Sequence, residues 1–415
     1  MLGKSFFSII SELPYIQETL HFVFHYGLRN PQHNGVGQGT NGLRNVEPLL
    51  VYADALERVY SSMTQAPWNR SPPKVDSSGK TQVYICDLSA FGGSPFTAYD
   101  REGIPFVALP CRSSEPVREA ELRKCAADAA HEGAHVFGFS KRPFYELSSE
   151  PWAWFDEGLA VFLEEVVLSG NLDHLRFQVD WIDRPEEPLD DWGSAYQSGY
   201  FVRYLARKMG MDFVDKLWTQ SQAGETPFGA FERMLPSGQR FVSPDPRHED
   251  LFASVYAMDS YFLCDPASVC FSPDVWARYG DRAVAGGFVL RAGDTATAEG
   301  TLRHLACRYY RIYPHSDVST LEVELTTEVE EDALLKAEVA LVTPERRRGW
   351  RRVLDRRGRR RKGQPRSVSI STEDLKAERD HLVLVVTNCV LSDPPLATRR
   401  FKPAGCPYRI KLRAV

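Results

Sequence analysis

Two short segments constrain this chain more than anything else in it: His131-Glu132-Gly133-Ala134-His135, and then Trp154-Phe155-Asp156-Glu157-Gly158-Leu159-Ala160. The first is expected to lie on a helix. Pro116 to Phe139 is rich in alanine, has acidic residues early, and keeps its glycines to Gly133 and to Gly138 near the end. Residues four apart on a helix share one face, one turn above the other. His131 and His135 can therefore present two imidazoles to one metal ion, each at roughly 2.0 to 2.1 Å for zinc. Glu132 then stands at the rim of the same site, where a carboxylate can take a proton from water.

A catalytic zinc needs a third protein ligand and one open position. The extended pattern HExxHxxGxxH would place a histidine at position 141; Gly138 fits that pattern, but Lys141 occupies the ligand position. The other route takes a glutamate from a second helix, and Pro151 to Gly170 has the form of one. Pro151 suits a first turn, Trp152, Phe155, Leu159, Phe162, Leu163 and Val166 make an apolar stripe, and Gly170 ends it. Glu157 falls among apolar and small residues, where an unpaired carboxylate is expensive to bury and a metal offsets that cost.

HExxH followed by a W-x-x-E-G-x-A helix resembles the gluzincin metallopeptidases, in which Glu157 would be the third ligand. With 21 residues between His135 and Glu157, the spacing is slightly longer than in aminopeptidase-N-like enzymes. Peptidase-MA-like secreted metalloproteases, which append a C-terminal β-sandwich, look closer. The motif-bearing resemblance covers roughly residues 80 to 220. It implies one zinc per chain on His131, His135 and Glu157, with Glu132 as general base. It also implies an oxyanion-stabilising tyrosine in a Y-x-x-G segment. Tyr196-Gln197-Ser198-Gly199 supplies the pattern, so Tyr196 is the choice and Tyr200 the second candidate. An edge strand that pairs with extended substrate is implied too, and Ile104 to Pro110 is the candidate. His248, on a proline-flanked segment, is read as an exposed loop histidine.

The rest of the chain organises around this core. His21 to Tyr26, Gln82 to Leu88 and Ile104 to Leu109 read as strands, and Val46 to Met63 as a helix. After an acidic loop around Asp180 to Asp191, two or three helices are expected up to Leu235, and another over Asp250 to Phe262. From Thr301 the chain shows short β-rich runs at Cys307 to Tyr313, Thr320 to Thr326, Leu335 to Val342, Ser367 to Ser371, His381 to Val386 and Tyr408 to Leu412, which suggest a jelly-roll or immunoglobulin-like sandwich. The expected fold class is α+β: a zincin-type domain with a mixed sheet, active-site helices and a helical subdomain, then a β-sandwich domain. In residue numbers this is an N-terminal tail at 1–20, the peptidase-like domain at 21–280, and the sandwich at 284–415 with an Arg-rich loop at 346–366.

Composition narrows the setting. The 415 residues are 43% hydrophobic and 12% aromatic, ample for two cores, and no run reaches the roughly 18 apolar residues of a membrane span. The apolar stretch Phe6 to Ile10 is interrupted by Ser8 and is shorter than the secretory core of about 7 to 15 residues. Of eight cysteines, Cys264 with Cys270, Cys86 with Cys111, and Cys307 with Cys389 or Cys406 are candidate bridges; none has zinc-finger spacing. Together with the family likeness these favour a secreted, extracellular location, with a cytoplasmic one as the alternative.

Arg346 to Arg366 holds twelve Lys or Arg, and setting them aside leaves 38 basic against 55 acidic residues. Such a run reads as a solvated hairpin or as a contact for an acidic polymer or anionic surface. Aromatic interleaving is limited to Trp350, which disfavours nucleic acid. The expected activity is zinc-dependent hydrolysis of a polypeptide substrate, as an endopeptidase, because no counterpart of the aminopeptidase G-x-M-E-N segment is found. The alternative is an inactive zincin scaffold that binds through its sandwich and basic segment.

Overall fold

The computed structural model describes residues 4–11, 13–28, 42–43, 45–111, 118–139, 152–168, 184–220, 225–241, 249–250, 252, 284–327, 335–342, 348–355, 366–373, 375, 381–389 and 406–415. The architecture is α+β, and the chain forms two compact units: Met1–Gln178 with Ser198–Gln220, and Val179–Gln197 with Ser221–Val415. This partition departs from a single boundary near 280. The segments 184–197, 225–241 and 249–250 group with the sandwich.

The first unit opens with α1 (Lys4–Ile10) and strands β1 (Tyr15–Glu18) and β2 (Phe22–Tyr26), followed by α2 (Glu47–Thr64), β3 (Thr81–Cys86), β4 (Phe96–Tyr99) and β5 (Pro105–Pro110). Its sheet is ordered β1-β2-β3-β5-β4. The three central strands are parallel, and β1 and β4 run antiparallel at the two edges. β5 reads Pro-Phe-Val-Ala-Leu-Pro and is buried almost throughout, as expected of an interior strand covered on both faces. One face carries Phe24, Val83 and Val107 in a cross-strand row that continues to Thr97 of β4. The other face carries Phe106, on which Phe6 of α1 stacks with ring centroids 5.5 Å apart. The residues expected to form an N-terminal tail are thus part of the fold: Phe6 is fully buried, and β1 is a strand of the sheet.

Among the described residues this unit has four more helices: α3 (Glu119–Phe139), α4 (Ala153–Val167), α5 (Gly199–Met209) and α6 (Met211–Thr219). Helix α2 turns a stripe of Leu49, Tyr52, Leu56, Val59 and Met63 inward, the period of an amphipathic helix. Helix α3 packs against it through Gly133, where a Cβ would stand 2.9 Å from Leu56 Cδ2 and 3.3 Å from Val59 Cγ1. The glycine inside HExxH therefore serves close helix packing.

The second unit contains α7 (Pro227–Met234), whose Thr226 cap accepts from the Gly229 amide at 3.1 Å, and the short parallel pair β6 (Gln239–Arg240) and β7 (Glu249–Asp250). Strands β8 (Val284–Leu290), β9 (Thr295–Leu302), β10 (Ala306–Pro314), β11 (Thr320–Thr327), β12 (Leu335–Val342), β13 (Arg348–Asp355), β14 (Arg366–Ser371), β15 (His381–Asn388) and β16 (Cys406–Ala414) follow. They make two sheets, β13-β12-β15-β10-β8 and β14-β11-β16-β9. Both sheets contribute to one apolar core, with Val339 and Leu384 from the first and Val323 and Ile410 from the second. The hydroxyls of Tyr310 and Tyr408 meet across it at 2.6 Å. Strand β8 runs parallel to β10. The acidic loop is fastened to the turn before β10: Arg303 donates to Asp191 at 2.6 Å, His304 pairs with Asp190 at 2.7 Å, and Leu305 accepts from the Leu189 amide at 3.1 Å.

Several further expectations change. Part of the Arg-rich segment is the edge strand β13, paired with β12, and Arg366 begins β14; residues 346–347 and 356–365 lie outside the described residues. Cys86, Cys111, Cys125, Cys307, Cys389 and Cys406 are not in disulfides, so the expected bridges Cys86–Cys111 and Cys307 to Cys389 or Cys406 are not formed. Cys264, Cys270 and His248 lie outside the described residues. So does nearly all of the helix expected from Asp250 to Phe262, although Asp250 itself ends β7. No described helix is long and apolar enough to cross a membrane.

Candidate metal centre

Helix α3 is built from Ala120, Ala126, Ala127, Ala129, Ala130 and Ala134, with Glu119 and Glu121 in its first turn, where acidic groups complement the helix dipole. It carries His131, Glu132 and His135 into the interior, each nearly fully buried. Helix α4 brings Glu157 against them. His131 Nε2 lies 3.2 Å from His135 Nε2 and 3.0 Å from Glu157 Oε2, and His135 Nε2 lies 3.6 Å from the same oxygen. Two ligands at about 2.0 to 2.2 Å from a tetrahedral ion stand about 3.4 Å apart. The three separations bracket that value, and these residues form a group able to hold a metal ion.

The outer nitrogens are fixed as well. His131 Nδ1 pairs with Glu164 Oε1 at 2.8 Å, and His135 Nδ1 pairs with Asp156 Oδ2 at 2.8 Å. A carboxylate on Nδ1 keeps the proton there and turns the Nε2 lone pair toward the shared point. Three buried or half-buried carboxylates thus surround two imidazoles, a surplus of negative charge that calls for a cation. Burial opposes charge on His131, yet its hydrogen bonds to Glu157 and Glu164 lift it to about 10. Burial likewise opposes charge on His135, which Asp156 and Glu157 raise well above the ordinary histidine range. Glu157 is held well below the usual carboxylate range: burial acts against this, but the charges and hydrogen bonds of His135 and His131 outweigh it.

Glu132 does not join the metal group. Its Oε2 accepts from Thr97 Oγ1 of β4 at 2.8 Å, and burial raises its carboxyl against the pull of His135 and His131. A raised carboxyl suits a group that accepts and returns protons near neutral pH.

Glycines let these helices close. A Cβ on Gly138 would stand 3.1 Å from Asp156 Oδ1 and 3.3 Å from Trp218, so this glycine makes room for the carboxylate that orients His135. Gly158, next to Glu157, faces the start of α5: a Cβ there would meet Ser198 Oγ at 2.1 Å and the Ser198 carbonyl carbon at 2.8 Å. Ser198 Oγ donates to the Trp154 carbonyl at 2.6 Å. Behind the site, buried Arg70 donates from Nε to Asp215 of α6 at 2.8 Å.

Of the expected site residues, the structure brings together His131, His135 and Glu157, with Glu132 beside them in sequence and in space. Tyr196 lies in the 3₁₀ turn Trp192–Ser198 that leads into α5, 41% exposed, and is assigned to the second unit. Tyr200 is buried in α5 at 3%, a core tyrosine. The expected edge strand changes: β5 is flanked on both sides, and β4 occupies the edge. The sequence reading missed Asp156, Glu164 and Thr97. Glu164 had a signal, since it lies two helical turns beyond Glu157 among apolar residues.

Residues 117–242 match the model of a family of unknown function, DUF6055, a segment that contains His131, Glu132, His135, Glu157 and Tyr196. No curated protein matches the chain. Among solved structures, that of infectious bursal disease virus Gx strain is similar over 30% of this chain and 35% of its own, at 13% identity and a TM-score of 0.15. A likeness at that level carries no argument about fold or activity.

Proposed function

We propose that this protein is a zinc-dependent peptide hydrolase of the gluzincin type, acting as an endopeptidase. One observation supports it above all: three donor atoms at tetrahedral separations, with a buried carboxylate one residue from the first ligand. His131, His135 and Glu157 would hold the ion. When bound, zinc supplies Lewis acidity that polarises a carbonyl and makes water a stronger acid. Glu132 takes the proton of the attacking water and passes it to the departing amine. The Y-x-x-G pattern makes Tyr196 the proposed donor to the oxyanion, and β4, at the edge of the sheet, is the proposed strand partner for an extended substrate.

The test is zinc per chain by elemental mass spectrometry, alongside hydrolysis of a denatured protein. Wild type and Glu132→Gln are expected to carry one zinc, His135→Ala none, and both variants to lose turnover, Glu132→Gln by about 10²- to 10⁴-fold. A reconstituted wild type without zinc would overturn the proposal. A second reading, an inactive zincin scaffold that binds acidic polymers, draws on β13, a sheet edge whose sequence carries Arg348, Arg351 and Arg352. Salt-sensitive retention on an anionic polymer without any turnover would select it.

A further inference from the structure

We infer that Thr97 is a positioning residue for the general base: its hydroxyl, delivered from the edge strand β4, holds one oxygen of Glu132 and leaves the other to face the metal group. The inference rests on the hydrolase reading above.

Thr97 Oγ1 lies 2.8 Å from Glu132 Oε2 and 2.9 Å from the Glu132 carbonyl oxygen, and both residues are buried, at 6% and 5% exposure. A hydroxyl has one proton to give. A backbone carbonyl inside a helix is already served by the amide four residues on, and a bond to an ionised acceptor is the stronger. The proton therefore goes to the carboxylate. A threonine serving only its own burial would need just one of these acceptors. Here the hydroxyl stands beside both the carbonyl and the carboxylate of a single residue, so its one proton is held at the side chain of Glu132.

Placement explains why a strand residue can do this. Thr97 pairs with Val107 of β5, on the sheet face whose row includes Val83 and Phe24, and its hydroxyl meets α3 there. Its neighbours Phe96 and Ala98 lie on the opposite face. A substrate strand added to β4 would thus be seated by the strand whose Thr97 aims the base, linking peptide register to proton transfer.

The experiment uses the full chain with Thr97→Val, which removes the hydroxyl at constant shape, and Thr97→Ser, which keeps it. Three quantities are read: zinc content, kcat and KM on a denatured protein, and the Kd of acetohydroxamate, whose proton a correctly aimed Glu132 accepts. Thr97→Val is expected to keep its zinc and its KM while kcat falls and the acetohydroxamate Kd rises by about 10- to 100-fold, the range for an outer-shell partner. Thr97→Ser is expected to restore both. If Thr97→Val does not fold, Thr97→Ala against Thr97→Ser gives the same comparison, since these two differ in the hydroxyl alone. A zinc-loaded Thr97→Val or Thr97→Ala with wild-type kcat and acetohydroxamate Kd would overturn the inference and leave the proposed function standing. Absence of zinc from the wild type would overturn both. Zinc and acetohydroxamate binding without turnover would overturn the proposed function, and the Kd comparison would still decide the role of Thr97.

Discussion

A Cβ on Gly138 would stand 3.1 Å from Asp156 Oδ1, while the other oxygen of Asp156 lies 2.8 Å from His135 Nδ1. Helix α3 gives up a side chain so that a carboxylate from α4 can reach one of its own histidines. Gly138→Ala is expected to displace Asp156 and weaken zinc binding by about 10- to 100-fold. Asp156→Ala should do the same. Competition with a chelating dye measures this, and unchanged affinity in both variants would remove Asp156 from the site.

The raised imidazoles set a pH dependence for protein stripped with a chelator. His131 stands at about 10 in the folded chain against about 6.5 when unfolded. A raised pKa gives stability that is full below pH 6.5 and is lost as pH rises toward 10. The Tm of stripped protein should therefore fall across that window. Zinc uptake over the same range should release protons, seen as a dependence of calorimetric heat on the buffer's ionisation enthalpy. A Tm that rises from pH 6.5 to 10 would contradict the arrangement.

Gly158→Ala tests the junction of α4 and α5. Its Cβ would fall 2.1 Å from Ser198 Oγ and 2.8 Å from the Ser198 carbonyl carbon, so the helices must part, at a cost of about 1 to 3 kcal/mol. Adding Ser198→Gly removes the hydroxyl clash but leaves the backbone one. Rescue in urea unfolding should be partial; complete rescue would show that the backbone approach is looser than described.

Thiol chemistry offers a direct check on compartment. The six cysteines among the described residues are not in disulfides, and burial pushes the Cys86 and Cys307 thiols up to about 12. Denatured, unreduced protein is expected to titrate at least six thiols, with Cys86 and Cys307 inert until unfolding. Fewer than six would revive the bridges expected from sequence.

The candidate metal ligands were legible because their chemistry is local: His131 and His135 follow from helical spacing, and Glu157 from the cost of a carboxylate on an apolar helix. The same argument applied to Asp156 and Glu164 would have found them. Strand β4 was hidden for a different reason. Phe96 to Tyr99 is four residues long, preceded by Gly92-Gly93-Ser94-Pro95 and followed by a turn at Asp100 to Gly103, so it reads as loop. Its role depends on pairing with β5, which no local pattern reveals. Strands β8 and β9 carry Gly286, Gly287 and Gly300 and only half-bury alternate residues, a weak signal beside the continuous apolar run of β15. Tyr196 illustrates the opposite limit: a motif gives its place in the chain but not its distance to the metal group.

The path of the backbone has a consequence for dissection. The chain passes between its two units three times, after Gln178, Gln197 and Gln220. No single cut parts the histidine-bearing unit cleanly from the other, because Ser198 to Gln220, which supply α5 and α6, follow a stretch belonging to the other unit. A fragment that keeps the candidate metal ligands with α5 and α6 must run to Gln220 and so carries the acidic loop with it.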